Sequence, residues 1–120
     1  MPKAKMVFIA HPMSGDVEGN TQKVVDICRK IHTAKLIPVF PSFTWRKYLG
    51  YTAKDNELAT GVNEAYFRSG FIDELWLYGD RLTEGMKKEV RLAIECGIRI
   101  VPKTREISRQ LLREPSLNEV

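Results

Sequence analysis

Gly79-Asp80-Arg81-Leu82-Thr83-Glu84-Gly85-Met86-Lys87-Lys88-Glu89 is the stretch whose reading decides the fold. It follows an apolar run, Glu74-Leu75-Trp76-Leu77-Tyr78, that predicts a strand, and it opens a helical pattern continuing to about Cys96. Thr83 is placed to cap that helix, because its hydroxyl can accept from amides left free in the first turn. At about 100° per residue, Lys87, Lys88, Arg91 and Glu95 gather on one side, and Met86, Val90, Leu92, Ala93, Ile94 and Cys96 fill the rest. Glu89 falls inside the apolar arc, between Leu92 and Met86. Stripping water from a lone carboxylate costs several kcal/mol, whereas a nearby helix N-terminus returns only about 0.3–1 kcal/mol. The imbalance predicts a pocket beside Glu89. A glutamate at the edge of the buried face, reaching out to solvent, is the other reading of the same pattern.

Working outward, the same alternation repeats. Lys5-Met6-Val7-Phe8-Ile9-Ala10 predicts a buried first strand, stopped by the turn His11-Pro12-Met13-Ser14-Gly15-Asp16. Val24, Val25, Cys28 and Ile31 recur at helical spacing and predict a helix over residues 17–34. Leu36-Ile37-Pro38-Val39-Phe40 reads as a second strand, and the donor missing at Pro38 suits an edge position or an irregularity. An aromatic-rich crossing over residues 41–51, with a short helical turn, leads to a helix from Lys54 or Asp55 to about Arg68. Its candidate core positions are Leu58, Val62, Ala65 and Tyr66, and Gly70 ends it. A strand over residues 71–78 precedes the helix of the opening stretch. Ile98-Arg99-Ile100-Val101 is a fourth strand, stopped by Pro102, and a last amphipathic helix is expected over residues 106–113.

Strands alternating with helices predict an α/β three-layer sandwich, with a parallel sheet of four to five strands, right-handed crossovers and helices on both faces. Residues 1–113 are expected to form a single domain, with a frayed tail over residues 114–120. In such sheets ligands bind beyond the carboxyl ends of the strands. That rule gathers residues 11–16, 41–45 and 79–89 and Pro102 on one rim.

Composition narrows the function classes. The 120 residues, 43% hydrophobic and 28% charged, suit one soluble domain with a substantial core. No apolar run approaches the length of a membrane span and no signal-peptide pattern opens the chain, so a cytoplasmic protein with no membrane partner is expected. Cys28 and Cys96 lie on apolar helix faces without metal-ligand spacing and read as reduced core residues. A net charge of +4 favours anionic ligands such as phosphates, but its basic residues are scattered, which argues against a nucleic-acid surface.

Neither a GxGxxG fingerprint nor a Walker A sequence is present. The amides and the Ser14 hydroxyl of Pro12-Met13-Ser14-Gly15-Asp16 suit a phosphate or a sugar hydroxyl, although these residues are also ordinary turn formers. His11 reads as an acid–base group or as a structural histidine. Phe43 and Trp45 read as a platform for a planar base, or as packing or subunit-contact aromatics. Asp80 reads as a ligand contact or a turn starter. Asp73 and Glu74, at the opposite end of their strand, read as structural.

Phe8-Ile9-Ala10-His11-Pro12-Met13-Ser14-Gly15, Asp73-Glu74-Leu75-Trp76-Leu77-Tyr78-Gly79, and Glu84-Gly85-Met86 with Glu89 together resemble small bacterial and phage domains of unknown function, similar to the nucleoside 2-deoxyribosyltransferases. The resemblance spans residues 6–103. It implies a flavodoxin-like (Rossmann-like) fold, commonly oligomeric, so a homo-oligomer, dimer or higher, is expected. In the transferases a glycine followed four residues later by glutamate opens the helix after a central strand, and that glutamate is the nucleophile; Gly85 and Glu89 match the spacing. The first-strand loop would border the sugar. The chain departs from the transferases in three ways. Thr83 stands where they carry an acid, His11 stands where glycine is usual, and Asn63 and Tyr66 lie where an aspartate would help protonate the leaving base.

The resulting expectation is a nucleoside or nucleotide N-glycosyl hydrolase or transferase. Glu89 would be nucleophile, with His11 assisting the leaving group and Phe43 or Trp45 stacking on the base. Pro12, Met13, Ser14, Gly15, Asp80, Thr83, Gly85 and Met86 would line the ligand, with no metal and no organic cofactor. The alternative is a non-catalytic nucleotide-binding or sensor module on the same fold, and a third reading is an interaction protein.

Overall fold

In a computed structural model, which describes residues 3–114, the chain runs β1 (Lys5–Ala10), α1 (Val17–Ile31), β2 (Leu36–Val39), α2 (Ser42–Trp45), α3 (Ala53–Arg68), β3 (Glu74–Leu77), α4 (Glu84–Glu95), β4 (Arg99–Pro102) and α5 (Arg105–Leu112). The four strands form one all-parallel sheet in the order β2-β1-β3-β4. Val7 lies opposite Pro38 on one side and Glu74 on the other, and Leu77 lies opposite Pro102. Pro38 is tolerated because β2 is an outer strand. Of the tail expected over residues 114–120, Glu114 is described and pairs with Lys87 at 3.0 Å; the rest lies outside the described residues.

The uninterrupted apolar character of β1 and β3 follows from burial on both faces, as parallel sheets require. On one face Val7, Ile9 and Trp76 pack with Val24 of α1, supported by Cys28 and Ile31. On the other, Phe8, Leu75 and Leu77 meet Phe67 of α3, Met86, Val90 and Ala93 of α4, and Ile107 of α5. The result is the three-layer, flavodoxin-like arrangement expected from the alternation. Both cysteines are free and half-buried, and no described helix is long and apolar enough to cross a membrane.

The core register of α3 needs correcting. Leu58, Ala65 and Tyr66 are exposed and Val62 is only half-covered, whereas Phe67 is buried, its ring centroid 4.6 Å from that of Phe8. Apolar residues occur on more than one side of this helix, and docking against Phe8 selects the side that carries Phe67.

The ends of the helices are fixed locally. The Asp16 carboxylate accepts from Gly19 N at 3.0 Å at the start of α1. Thr83 Oγ1 accepts from Met86 N at 3.2 Å, the cap expected for α4. Farther along, α5 acts as a clamp on the loop after β3: Thr104 Oγ1 donates to Gly79 O at 2.7 Å, Gln110 Nε2 donates to Asp80 O at 2.9 Å, and Gln110 Oε1 accepts from Leu82 N at 2.7 Å. At the opposite end of the sheet Asp73 accepts from Met6 N, and Glu74 accepts from Trp76 Nε1 at 2.8 Å and pairs with Lys5 at 3.1 Å. The indole hydrogen bond above all, with Lys5 beside it, holds the Glu74 carboxyl below its usual value. Both acids have structural partners.

Candidate functional site

Beyond the carboxyl ends of β1 and β3 lies a cavity of about 590 Å³. Three segments distant in sequence build it. The end of β1 and its loop supply Ala10, His11, Met13 and Ser14; the crossing supplies Phe40, Ser42, Trp45 and Arg46; and the start of α4 supplies Thr83, Glu84, Gly85, Met86 and Glu89. Asn63 of α3 closes the wall.

Glu89 stands in the second turn of α4, between neighbours whose side chains enter the core. Its carboxyl makes no hydrogen bond or ion pair among the described residues, and burial alone pushes its pKa up to about 8. The residue keeps partial contact with the cavity, which softens the penalty that full burial would impose. At neutral pH burial thus favours the protonated carboxyl, and a ligand that favours its anion would draw the proton off.

The same wall carries other unmet hydrogen-bonding groups. Among the described residues, Ser42 Oγ, Trp45 Nε1, Arg46 Nε and Asn63 Oδ1 are buried without a partner, and all four residues line this cavity. Buried polar groups are ordinarily paired, and here four without a protein partner stand around one cavity. The Arg46 guanidinium also lies 4.9 Å from the centre of the Trp45 ring.

His11 is half-buried. Its Nδ1 lies 2.7 Å from Pro12 O, a group that only accepts, so Nδ1 carries the proton and Nε2 is left as an acceptor. Burial, ahead of the Pro12 hydrogen bond that opposes it, lowers the pKa below 6.5. The ring is thus a neutral imidazole suited to accepting a proton near pH 7.

The Gly85 position has space. A methyl group there would meet only Thr83 Oγ1, at 3.9 Å. Packing does not demand this glycine, and its missing side chain leaves the first turn of α4 open to the cavity.

Of the residues predicted from sequence, the cavity brings together Glu89, His11, Met13, Ser14, Trp45, Thr83, Gly85 and Met86. The others lie elsewhere. Phe43 lines a neighbouring cavity of about 500 Å³ that shares Val17, Trp45 and Arg46 with the first. Pro12 and Asp80 line a third, of about 400 Å³, with Gly79, Arg81 and Lys23. Gly15 is exposed, with φ of 96°, and serves the turn. No sequence feature marks Ser42 or Arg46, and Asn63 stands out only by its position relative to the transferases. A lone serine and arginine in an aromatic crossing have no period or motif to betray them. Among the described residues no group of three or more His, Cys, Asp or Glu is placed to hold a metal ion.

Residues 5–103 match a family described as a domain of unknown function (DUF7768), and the chain belongs to that family. No curated protein matches it. Its fold is similar to that of a conserved protein from Enterococcus faecalis V583 known from a crystal structure, with a TM-score of 0.55 and 19% sequence identity, over 98% of this chain and 76% of the other. At that identity the likeness concerns the fold.

Proposed function

We propose that this member of the family is a nucleoside or nucleotide N-glycosyl hydrolase or transferase, acting by a retaining double displacement at Glu89. The observation that carries the reading is a carboxyl without a partner in the wall of a 590 Å³ cavity, on the first turns of a helix beyond the carboxyl end of the sheet. In the first step a Glu89 carboxylate oxygen bonds to the anomeric carbon as the bond to the base breaks. In the second, water or another acceptor attacks that carbon and the carboxylate leaves. His11 Nε2 is the acceptor for the proton that the incoming water gives up. Trp45 offers a ring face to the base, and Ser14, Thr83 and the amide of Gly85 suit the sugar hydroxyls. Kinship with the nucleoside 2-deoxyribosyltransferases, and a cytoplasmic homo-oligomer of two or more copies, belong to the same reading. The exposed Tyr48, Tyr51, Leu58 and Tyr66 offer apolar surface for such contacts.

The test is release of free base. The protein is incubated with nucleosides and nucleoside monophosphates and the products are separated by chromatography. Release that vanishes in Glu89→Gln, with a melting temperature at or above the parent's, is the expected result; no release from any glycoside would overturn the reading.

One observation favours a second reading, a nucleotide sensor that binds without turnover. Asn63 presents an amide in the cavity wall where a proton donor to the leaving base would be useful. Thermal stabilisation by a nucleotide, with no base released, would support the sensor.

A further inference from the structure

Three features of the Glu89 cavity are left unused by a neutral nucleoside. The first is charge. Glu89 on α4 and Arg46 beside α2 line the same cavity, and no salt bridge joins them among the described residues. A ligand that bears a cation at one point and an anion at another answers both. The second is the proton inventory. Glu89 is engaged as nucleophile. Glu84 is exposed and paired with Lys87 at 3.2 Å. His11 spends its N–H on Pro12 O, Arg46 does not release a proton at neutral pH, and Asn63 is an amide. A neutral base leaving as an anion needs a proton that none of these is set to give. The third is space: the neighbouring 500 Å³ cavity continues past the shared Trp45 and Arg46.

We propose that the cavity takes a nucleotide whose leaving group is a cationic aromatic ring, a pyridinium bonded to the anomeric carbon through its ring nitrogen, with Glu89 serving the ring end and Arg46 the phosphate. The inference rests on the N-glycosyl reading above and names its substrate class. Chemistry makes the match. When a Glu89 oxygen forms its bond to the anomeric carbon, the carbon–nitrogen bond breaks and its electron pair passes to the ring nitrogen. The positive charge is cancelled, and the ring departs as a neutral molecule with no proton added. Water then attacks the anomeric carbon, the carbon–oxygen bond to Glu89 breaks with its electrons returning to the carboxylate, and the proton of the water goes to His11 Nε2. The ring also prepares its own nucleophile: a cation beside Glu89 favours the carboxylate over the acid, so the carboxyl proton passes to solvent as the ligand binds, before the carbon–nitrogen bond breaks. Beyond the phosphate, the neighbouring cavity has room for a second nucleoside half.

The deciding experiment compares probes under one condition. Nicotinamide mononucleotide, NAD, nicotinamide riboside, and 2′-deoxyinosine and 2′-deoxycytidine 5′-monophosphates are incubated separately, and free nicotinamide, hypoxanthine and cytosine are quantified. The expected result is a kcat/KM for nicotinamide mononucleotide or NAD at least about 100-fold above that for the deoxynucleotides, the scale of an absent general acid. That release is lost in Glu89→Gln, whose melting temperature stays at or above the parent's. Arg46→Met should lower the preference for the mononucleotide over the riboside by about tenfold or more, the scale of one lost charge-assisted contact. Release of hypoxanthine or cytosine without release of nicotinamide would overturn the inference and leave the N-glycosyl reading standing. Release of none would overturn both.

Discussion

Gly79 and Pro12 are in such close contact that a methyl group on Gly79 would lie 2.5 Å from Pro12 Cδ and 2.9 Å from its Cγ. Gly79 also has φ of 97°, a left-handed conformation that costs a side chain dearly. The two residues stand just past the ends of β1 and β3, and their contact ties the His11 loop to the segment that leads into α4. Gly79→Ala should therefore destabilise the fold by roughly 2–4 kcal/mol through strain and clash together. Denaturant midpoints measure it. Adding Pro12→Ala should recover part of the loss, and a strictly additive double variant would show that the contact is not the cause.

Glu89 makes stability depend on pH in an unusual direction. Its folded pKa is about 8 against 4.5 for an unburdened carboxyl, so the folded state holds the proton more tightly than the unfolded one. Raising pH from 4.5 to 8 then favours unfolding, by a few kcal/mol at full effect. Below pH 4.5 the penalty is absent. Glu89→Gln should melt near the parent at pH 5 and clearly above it at pH 8. A variant that melts lower at both values would identify Glu89 as a structural partner.

Gly85 separates stability from binding. Replacing a helical glycine that has free space around it gains about 0.4–1 kcal/mol, so Gly85→Ala should melt at or above the parent. The same methyl intrudes on the first turn that faces Glu89, and base release or nucleotide-induced stabilisation should fall about tenfold or more, the scale of about 1.4 kcal/mol in binding. Unaltered ligand response would remove the first turn of α4 from the site.

The clamp from α5 predicts a graded series. Gln110→Ala leaves Leu82 N–H and Asp80 C=O without their partner, at a cost of about 1–3 kcal/mol. Gln110→Glu keeps the acceptor for Leu82 and loses the donor to Asp80, so it should fall between the parent and Gln110→Ala. Hydrogen exchange at the Leu82 amide reads the first bond directly.

The sheet and the helix caps were legible because each rests on local chemistry: unbroken apolar runs at β1 and β3, Thr83 one residue ahead of α4, Pro38 on an outer strand. Glu89 was legible because a charge within an apolar arc is an anomaly at helical spacing. The face of α3 was not, since Leu58, Ala65 and Tyr66 compete with Phe67 and only the position of Phe8, far away in sequence, decides between them. Nor were Ser42 and Arg46. Their role in the cavity comes from the way the crossing folds back over β1, and no spacing encodes that. Asp80 reads from sequence as a ligand contact or a turn starter; the positive φ of Gly79 carries the chain toward Lys23 and Glu106 before α4 begins, so Asp80 lines the third cavity and not that of Glu89.

The two outer strands of the sheet each contain a proline, Pro38 in β2 and Pro102 in β4. An incoming backbone would find a missing amide on either margin, so lateral recruitment of a further strand is blocked from both directions. Copies of this chain that associate must therefore meet through their helices and loops, and fibre-like stacking along the sheet is designed out of the fold.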